Sequence, residues 1–188
     1  PDERWPLVVA LHGGSGHGRD FLWTWLRDAR SRSAIVLSPT SRERTWSLTG
    51  PEVDADNLIR MVDFTAKQYA LDEERILLTG MSDGGTFSWL AGLMESNSPY
   101  THLAPISSSF HPLLLESIDA DRLRTVPIYL THGALDWMFP VDMARTARDA
   151  LAAAGANLTY RELDDLSHTY PREENARILD WLCQSRLR

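Results

Sequence analysis

The sequence contains a single cysteine and no long hydrophobic segment, and these absences exclude whole classes of protein. Cys183 cannot form a disulfide within the chain, so cysteine content indicates neither an oxidising nor a reducing compartment. Because no run of about 18 consecutive apolar residues occurs, we expect no transmembrane helix. The protein is therefore predicted to be soluble, and either cytoplasmic or secreted with its leader removed.

The chain also lacks an excess of positive charge. It has 19 basic and 26 acidic residues and a formal net charge of -7. Proteins that bind nucleic acid gain affinity by neutralising phosphates with basic side chains, so this balance argues against a nucleic-acid partner. The composition gives no indication of the oligomeric state.

The length of 188 residues suits about one domain. No internal repeat and no linker rich in Pro, Gly or Ser divides the chain, so we predict one domain over residues 1–188. The sequence begins at Pro1 rather than Met, and we expect that natural sequence precedes it or that a leader has been removed.

Short apolar runs alternate with longer segments of helical periodicity, which is typical of the α/β class. The predicted strands span residues 7–11, 34–38, 75–79, 103–107, 126–131 and 158–163, and the predicted helices span residues 20–30, 53–70, 83–94, 141–154 and 172–187. Several strands are apolar at consecutive positions, so we expect them to be buried on both faces of a mostly parallel sheet. The pattern predicts a three-layer α/β/α sandwich with six strands. Gly155 and Pro171 stand where the fourth helix should end and the last should begin.

Residues 80–85 read Gly-Met-Ser-Asp-Gly-Gly between a predicted strand and a predicted helix. In that setting the G-x-S-x-G pattern is typical of a nucleophile elbow, a sharp turn that presents its serine above the edge of the sheet. The glycines remove Cβ atoms that would collide with the neighbouring strand and helix. We predict that Ser82 is a nucleophile; the alternative is a solvated serine in a glycine-rich turn.

A serine nucleophile needs a base, and the base needs an orienting carboxylate. Asp136 follows the fifth predicted strand and His168 follows the sixth, which gives the chain order Ser, Asp, His. Asp142, Asp164 and Asp165 are rival carboxylates, but the first lies inside a predicted helix and the others sit beside the histidine. The alternative is that Asp136 caps a turn and His168 is a surface residue.

A glycine-rich loop follows the first predicted strand, where residues 12–18 read His-Gly-Gly-Ser-Gly-His-Gly. Its backbone amides can approach a ligand closely, as those of an oxyanion loop do. Two of its glycines have the spacing of a phosphate-binding loop, but Arg19 and Asp20 stand where Lys and Ser/Thr are required. Its two histidines lack a third ligand at a fixed spacing. We therefore predict no nucleotide, no metal and no other cofactor.

Together these motifs resemble the α/β-hydrolase fold, and most closely the small carboxylesterases of the phospholipase/carboxylesterase and dienelactone hydrolase type. The resemblance covers most of the chain and rests on residues 11–14, 80–85, 132–136 and 167–168 and on Pro140. Dienelactone hydrolases use a cysteine nucleophile, so Ser82 favours the esterase branch. The resemblance implies the sheet order 2-1-3-4-5-6 in a minimal fold that lacks the first strands of the family. Only residues 108–125 join the fourth and fifth strands, which leaves no room for a cap domain.

The resemblance also implies a mechanism for a single catalytic domain. Ser82 would attack a carboxylic ester, His168 would accept the serine proton, and Asp136 would orient the imidazole. The backbone amide of Asp83 would hold the oxyanion with that of Gly14, or with that of the next residue in the glycine loop.

Aromatic side chains near these residues are predicted to bind the substrate. Trp137 and Phe139 directly follow the acid, and Trp46 occupies another loop at the same sheet edge. They would line a shallow apolar pocket that favours short acyl chains; the alternative is ordinary core packing. The expected partner is a small-molecule ester. Other functions compatible with the same residues are those of a serine peptidase, an acyltransferase, or a noncatalytic binding module of a larger protein.

Overall fold

The computed structural model describes residues 3–49, 53–95 and 97–184. Within these ranges strands and helices alternate along the chain. The strands are β1 (Trp5–Leu11), β2 (Ile35–Leu37), β3 (Leu71–Met81), β4 (His102–Ile106), β5 (Ile128–Gly133) and β6 (Leu158–Leu163). The helices are α1 (Gly18–Ser31), α2 (Val53–Gln68), α3 (Asp83–Trp89), α4 (Ala120–Thr125), α5 (Val141–Ala153) and α6 (Glu174–Gln184). None of these helices is both long and apolar enough to cross a lipid bilayer.

The six strands form one sheet in the order β2-β1-β3-β4-β5-β6, and each neighbouring pair is parallel. The predicted order is therefore confirmed. Leu11 at the end of β1 lies opposite Gly80 near the end of β3. The loops after these two strands consequently meet where the strand order reverses, which is where open α/β sheets bind their ligands.

Apolar side chains pack on both faces of the sheet, as the consecutive apolar residues of β1 predict. Leu7 and Val9 join the core beneath α2, α3 and α5, whereas Val8 and Ala10 join the core beneath α1 and α6. Full burial of each large apolar side chain stabilises the fold by about 1.5–3 kcal/mol. The predicted three-layer sandwich is confirmed.

Helix α5 ends where the sequence predicts, whereas α6 begins later than predicted. Gly155 has a φ of 81°, and its amide donates to the carbonyl of Ala152 while the next amide reaches Leu151, so it ends α5 as predicted. The last helix begins at Glu174, whose amide donates to the carbonyl of Pro171. The predicted end of that helix at residue 187 lies outside the described residues.

The connection between β4 and β5 contains two short elements that the sequence did not reveal. They are a 3-10 helix (Pro112–Ser117) and α4, and neither is long enough to show a helical repeat of apolar residues. No domain is inserted in this fully described connection, as expected. A second difference is that α3 ends at Trp89 and continues as a π-helical turn (Leu90–Met94).

The buried imidazole of His102 makes the stability of the fold depend on pH. Burial lowers the pKa of His102 to about 4 from its usual value of 6.5. As the pH falls from 6.5 towards 4, the unfolded chain takes up a proton that the folded chain does not, so the free energy of unfolding decreases. We expect this residue alone to cost about 2 kcal/mol between pH 7 and pH 5.

Urea unfolding at the two pH values measures that loss, and His102→Phe should reduce it by the same amount because phenylalanine takes up no proton. An NMR titration of the His102 ring in the unsubstituted protein gives an independent reading. A ring that titrates near pH 6.5 in the folded state would contradict the account.

Candidate active site

Ser82 stands at the turn between β3 and α3 in a backbone conformation that few residues adopt. Its φ is 55° and its ψ is -120°. Its amide donates to the carbonyl of Ile106 on β4, and its carbonyl accepts from the amide of Thr86 in α3. Such a conformation costs on the order of 1–3 kcal/mol and persists where the surrounding structure enforces it. Strand and helix thus hold Ser82 at the carboxyl edge of the sheet.

The glycines that flank the serine allow this turn to pack closely. A Cβ added to Gly80 would lie 2.5 Å from the carbonyl carbon of Gly84. A Cβ added to Gly84 would collide with the backbone carbonyls of Leu11 and His12 at the end of β1. Larger residues would therefore separate the serine turn from the glycine loop, which agrees with the role that the sequence predicts for both glycines.

His168 lies between Ser82 and Asp136, although the three residues are far apart in the sequence. The Nε2 atom of His168 is 3.1 Å from Oγ of Ser82, and its Nδ1 atom is 2.8 Å from Oδ2 of Asp136. Both distances are those of hydrogen bonds. The structure therefore brings together the predicted nucleophile, base and orienting carboxylate in the arrangement that serine hydrolases use.

Asp136 is 5% exposed and is held by the turn that follows β5. Its Oδ1 atom accepts from the amides of Met138 and Phe139, at 3.0 and 2.8 Å. His132, at the end of β5, donates from Nε2 to the carbonyl of Phe139 at 2.8 Å and so closes the same turn. One carboxylate oxygen is thus fixed by the backbone, and the other is directed at His168.

The charge of Asp136 fixes the tautomer of His168. Burial alone would raise the pKa of Asp136, but hydrogen bonds from the Phe139 amide, from His168 and from the Met138 amide together hold its pKa below the usual value. The carboxylate is therefore ionised at neutral pH and only accepts hydrogen bonds. Nδ1 of His168 must donate to it, which leaves Nε2 free to accept the Ser82 proton.

The rival carboxylates lie elsewhere. Oδ1 of Asp142 accepts from Arg145 at 3.1 Å on the surface of α5. Asp164 and Asp165 are exposed. Asp136 is thus the carboxylate in hydrogen-bond contact with His168.

The glycine loop lies beside Ser82 and carries the two backbone amides, those of Gly14 and Ser15, that the sequence left as oxyanion candidates. The amide of Ser15 donates to the carbonyl of Arg44 at 2.6 Å, so it is already engaged. Gly14 lines the same cleft as Ser82 and Asp83. The backbone amide of Asp83 is the other predicted donor to the oxyanion. A Cβ added to Gly14 would lie 2.5 Å from Oδ2 of Asp83, so a larger residue would displace that carboxylate.

Thr45 is a neighbour of the site that the sequence did not reveal. Its Oγ1 atom donates to Oδ2 of Asp83 at 2.5 Å and fixes that side chain beside Gly14. The histidine that opens the glycine loop is also fixed, because Nε2 of His12 accepts from the amide of Ser41 at 3.1 Å. Burial lowers the pKa of His12, so this ring is neutral.

The cleft above Ser82 is open and has a volume of about 440 Å³. Its walls are the glycine loop, Met81, Met138 and His168. Trp137 is 72% exposed, with its ring centroid 6.1 Å from that of His168, and the ring of Phe139 lies 5.4 Å from it. These two of the three predicted aromatic residues thus lie beside His168, but neither forms part of the wall of the cleft. Within the described residues no group of three potential metal ligands is present.

Trp46 also lies off the wall of this cleft, and it is buried. It is 2% exposed, its Nε1 atom donates to the carbonyl of His12 at 2.8 Å, and its ring stacks on Phe87 at 5.6 Å. The expectation that its ring faces the cleft is corrected: packing in the core and support of the glycine loop account for the residue.

A model of the phospholipase/carboxylesterase family matches residues 50–185, which is well over half of the chain. The chain belongs to this family. Membership confirms the resemblance seen in the sequence, and the matched region contains Ser82, Asp136 and His168.

Two proteins are similar in sequence to part of this chain. The chain is 27% identical over 135 residues to a bifunctional acetylxylan esterase/xylanase of Neocallimastix patriciarum, which covers 70% of this chain and 19% of that protein. It is 29% identical over 107 residues to acyl-protein thioesterase 1 of Gibberella zeae. That match covers 54% of this chain and 44% of that protein. The chain thus matches less than half of the length of either protein.

The crystal structure of Arabidopsis thaliana SOBER1 shares the fold, with a TM-score of 0.75 and 17% identity over 95% of this chain and 98% of that chain. The two relatives similar in sequence are thus named as an esterase/xylanase and a thioesterase, and the matched family is that of phospholipases and carboxylesterases.

Proposed function

We propose that this protein is a serine esterase that uses Ser82 as its nucleophile. The observation that carries the proposal is the continuous hydrogen-bonded path from Oγ of Ser82 through His168 to the buried carboxylate of Asp136. A serine hydroxyl is a weak nucleophile near neutral pH, and a base at 3.1 Å that is oriented by an anion activates it.

The reaction proceeds in two halves. As Oγ of Ser82 bonds to the ester carbonyl carbon, His168 takes the hydroxyl proton and then delivers it to the departing alcohol. A water molecule next attacks the acyl-enzyme, and His168 accepts a proton from it. His168 then returns this proton to Oγ of Ser82 as the bond between Oγ and the acyl carbon breaks and the carboxylic acid is released. The amides of Gly14 and Asp83 stabilise the oxyanion in both halves, a contribution worth roughly 3 kcal/mol for each donor.

We further propose that the acyl group is short. The cleft above Ser82 is open, its walls include backbone without side chains, and no cap is inserted between β4 and β5. A long acyl chain would stay largely in water and gain little from burial. The name of one relative, an acetylxylan esterase, is consistent with a short acyl group.

Hydrolysis of p-nitrophenyl acetate, butyrate, octanoate and palmitate by the purified chain tests both proposals. We expect the highest kcat/KM for acetate or butyrate and a decrease of at least about tenfold by palmitate. Equal rates on short and long chains would reject the short-acyl proposal. Absence of turnover on every ester would favour a noncatalytic binding module.

A further inference from the structure

A second depression adjoins the cleft at Ser82 and has no role in the mechanism above. It lies between α1 and the loop that carries His168, and its volume is about 340 Å³. Gly13, Gly14 and Met81 form part of both walls, so the two spaces are adjacent. We call this second space the α1 depression.

The chemistry of the triad indicates which half of an ester the α1 depression receives. His168 protonates the departing alcohol, so the alcohol oxygen must lie within reach of Nε2 of this histidine as it leaves. Tyr170 lies two residues further along the same loop and forms one wall of the depression. The loop that positions the proton donor for the alcohol therefore also forms part of the wall of the α1 depression.

Hydrogen bonds to a buried asparagine connect the wall of the depression to the rest of the fold. The hydroxyl of Tyr170 donates to Oδ1 of Asn175 at 2.6 Å, and Nδ2 of Asn175 donates to the carbonyl of Thr24 at 2.6 Å. Asn175 is fully buried. The loop, α6 and α1 are thereby connected, and a ligand meets a preformed surface rather than one that it must order.

The lining combines aromatic rings with polar groups. Phe21 and Tyr170 pack edge to face at 5.0 Å, while His17, Asp20 and Thr24 supply groups that form hydrogen bonds. Among the described residues that line the depression none is Lys or Arg, and one is a carboxylate, so an anionic ligand is disfavoured. An apolar surface beside several hydroxyl-binding groups suits a neutral ring with several hydroxyl groups.

We propose that the α1 depression binds the alcohol moiety of the ester, and that this alcohol is a neutral polyhydroxylated ring such as a monosaccharide. The inference rests on the proposed esterase function and adds the substrate class. Phe21 provides the apolar surface for the ring, and Asp20 accepts hydrogen bonds from its hydroxyl groups.

The test compares esters that share an acetyl group and differ in the alcohol. The substrates are methyl 6-O-acetylglucoside, which keeps three free ring hydroxyl groups, and ethyl acetate, with ethyl butyrate to report on the acyl side. We expect Phe21→Leu to lower the ratio of kcat/KM for methyl 6-O-acetylglucoside to that for ethyl acetate by about tenfold, and Asp20→Asn to lower it by about fivefold. The butyrate-to-acetate ratio should not change in either variant.

Phe64→Leu is the control for the same chemical change, because Phe64 is a surface aromatic residue on α2, on the opposite face of the sheet from α1. Both ratios should equal those of the unsubstituted protein. A change in the butyrate-to-acetate ratio in Phe21→Leu would overturn the proposal by assigning the depression to the acyl group. An unchanged ratio of methyl 6-O-acetylglucoside to ethyl acetate would also overturn it.

Binding of methyl glucoside, measured by calorimetry, separates this inference from the proposed function. Binding that Phe21→Leu weakens supports the alcohol site even if no ester is hydrolysed. Absence of binding in the unsubstituted protein would overturn the inference, whereas esterase activity on ethyl acetate would still support the triad.

Discussion

Ser82→Ala is expected to lower kcat for p-nitrophenyl butyrate by roughly 10⁵- to 10⁶-fold, because the triad acts as a unit and loses its function with the nucleophile. The residual rate comes from binding and from the amides that hold the oxyanion. Steady-state kinetics with enzyme purified from a host that lacks other esterase activity measures the loss. The variant should remain folded, because no other part of the described site depends on Oγ of Ser82 for support.

Ser31→Ala is the control for this variant. Ser31 is exposed at the end of α1, and its hydroxyl donates to the carbonyl of Asp28 rather than to any residue of the site. Its kcat should equal that of the unsubstituted protein. Turnover by Ser82→Ala above about 1% of the original rate would mean that another residue is the nucleophile.

Asp136→Asn is expected to lower kcat by roughly 10⁴-fold with a small effect on KM. The carboxylate accepts a hydrogen bond from Nδ1 of His168 and so keeps Nε2 able to accept the serine proton. An amide that donates from the same position would favour the opposite tautomer and would not stabilise the imidazolium. Steady-state kinetics over a range of pH measures the effect.

Asp165→Asn provides the matched control, since Asp165 lies three residues from His168 and is exposed. We expect it to retain full activity. If instead Asp165→Asn were the damaging change, with Asp136→Asn within tenfold of the original rate, the assignment of the acid would be wrong.

The sequence predicted the sheet because the information needed was local. Consecutive apolar residues in β1 require burial on both faces, and glycines on either side of Ser82 indicate a sharp turn wherever they occur between a strand and a helix. The positions of Asp136 and His168 after consecutive strands place them at the same edge of a parallel sheet. Their separation from Ser82 then follows from the strand order, which the resemblance to a known family implied.

Other features depend on contacts between distant loops and were not accessible from the sequence. The residues around Trp46 in the sequence do not indicate whether its indole faces the cleft or the core. Its contacts with Phe87 and His12 show that it faces the core. The choice of Gly14 over Ser15 rests on a hydrogen bond to Arg44 in another loop. Tyr170 is a similar case, because only the structure shows that its hydroxyl donates to Asn175.

The most direct test of the central claim is to react the protein with a fluorophosphonate and to locate the modification by mass spectrometry. Such reagents form a covalent bond with a serine whose hydroxyl is activated by a base. We predict one phosphonyl group for each chain, attached to Ser82, and little modification of the His168→Ala variant. Modification of another residue, or none in the unsubstituted protein, would contradict the account.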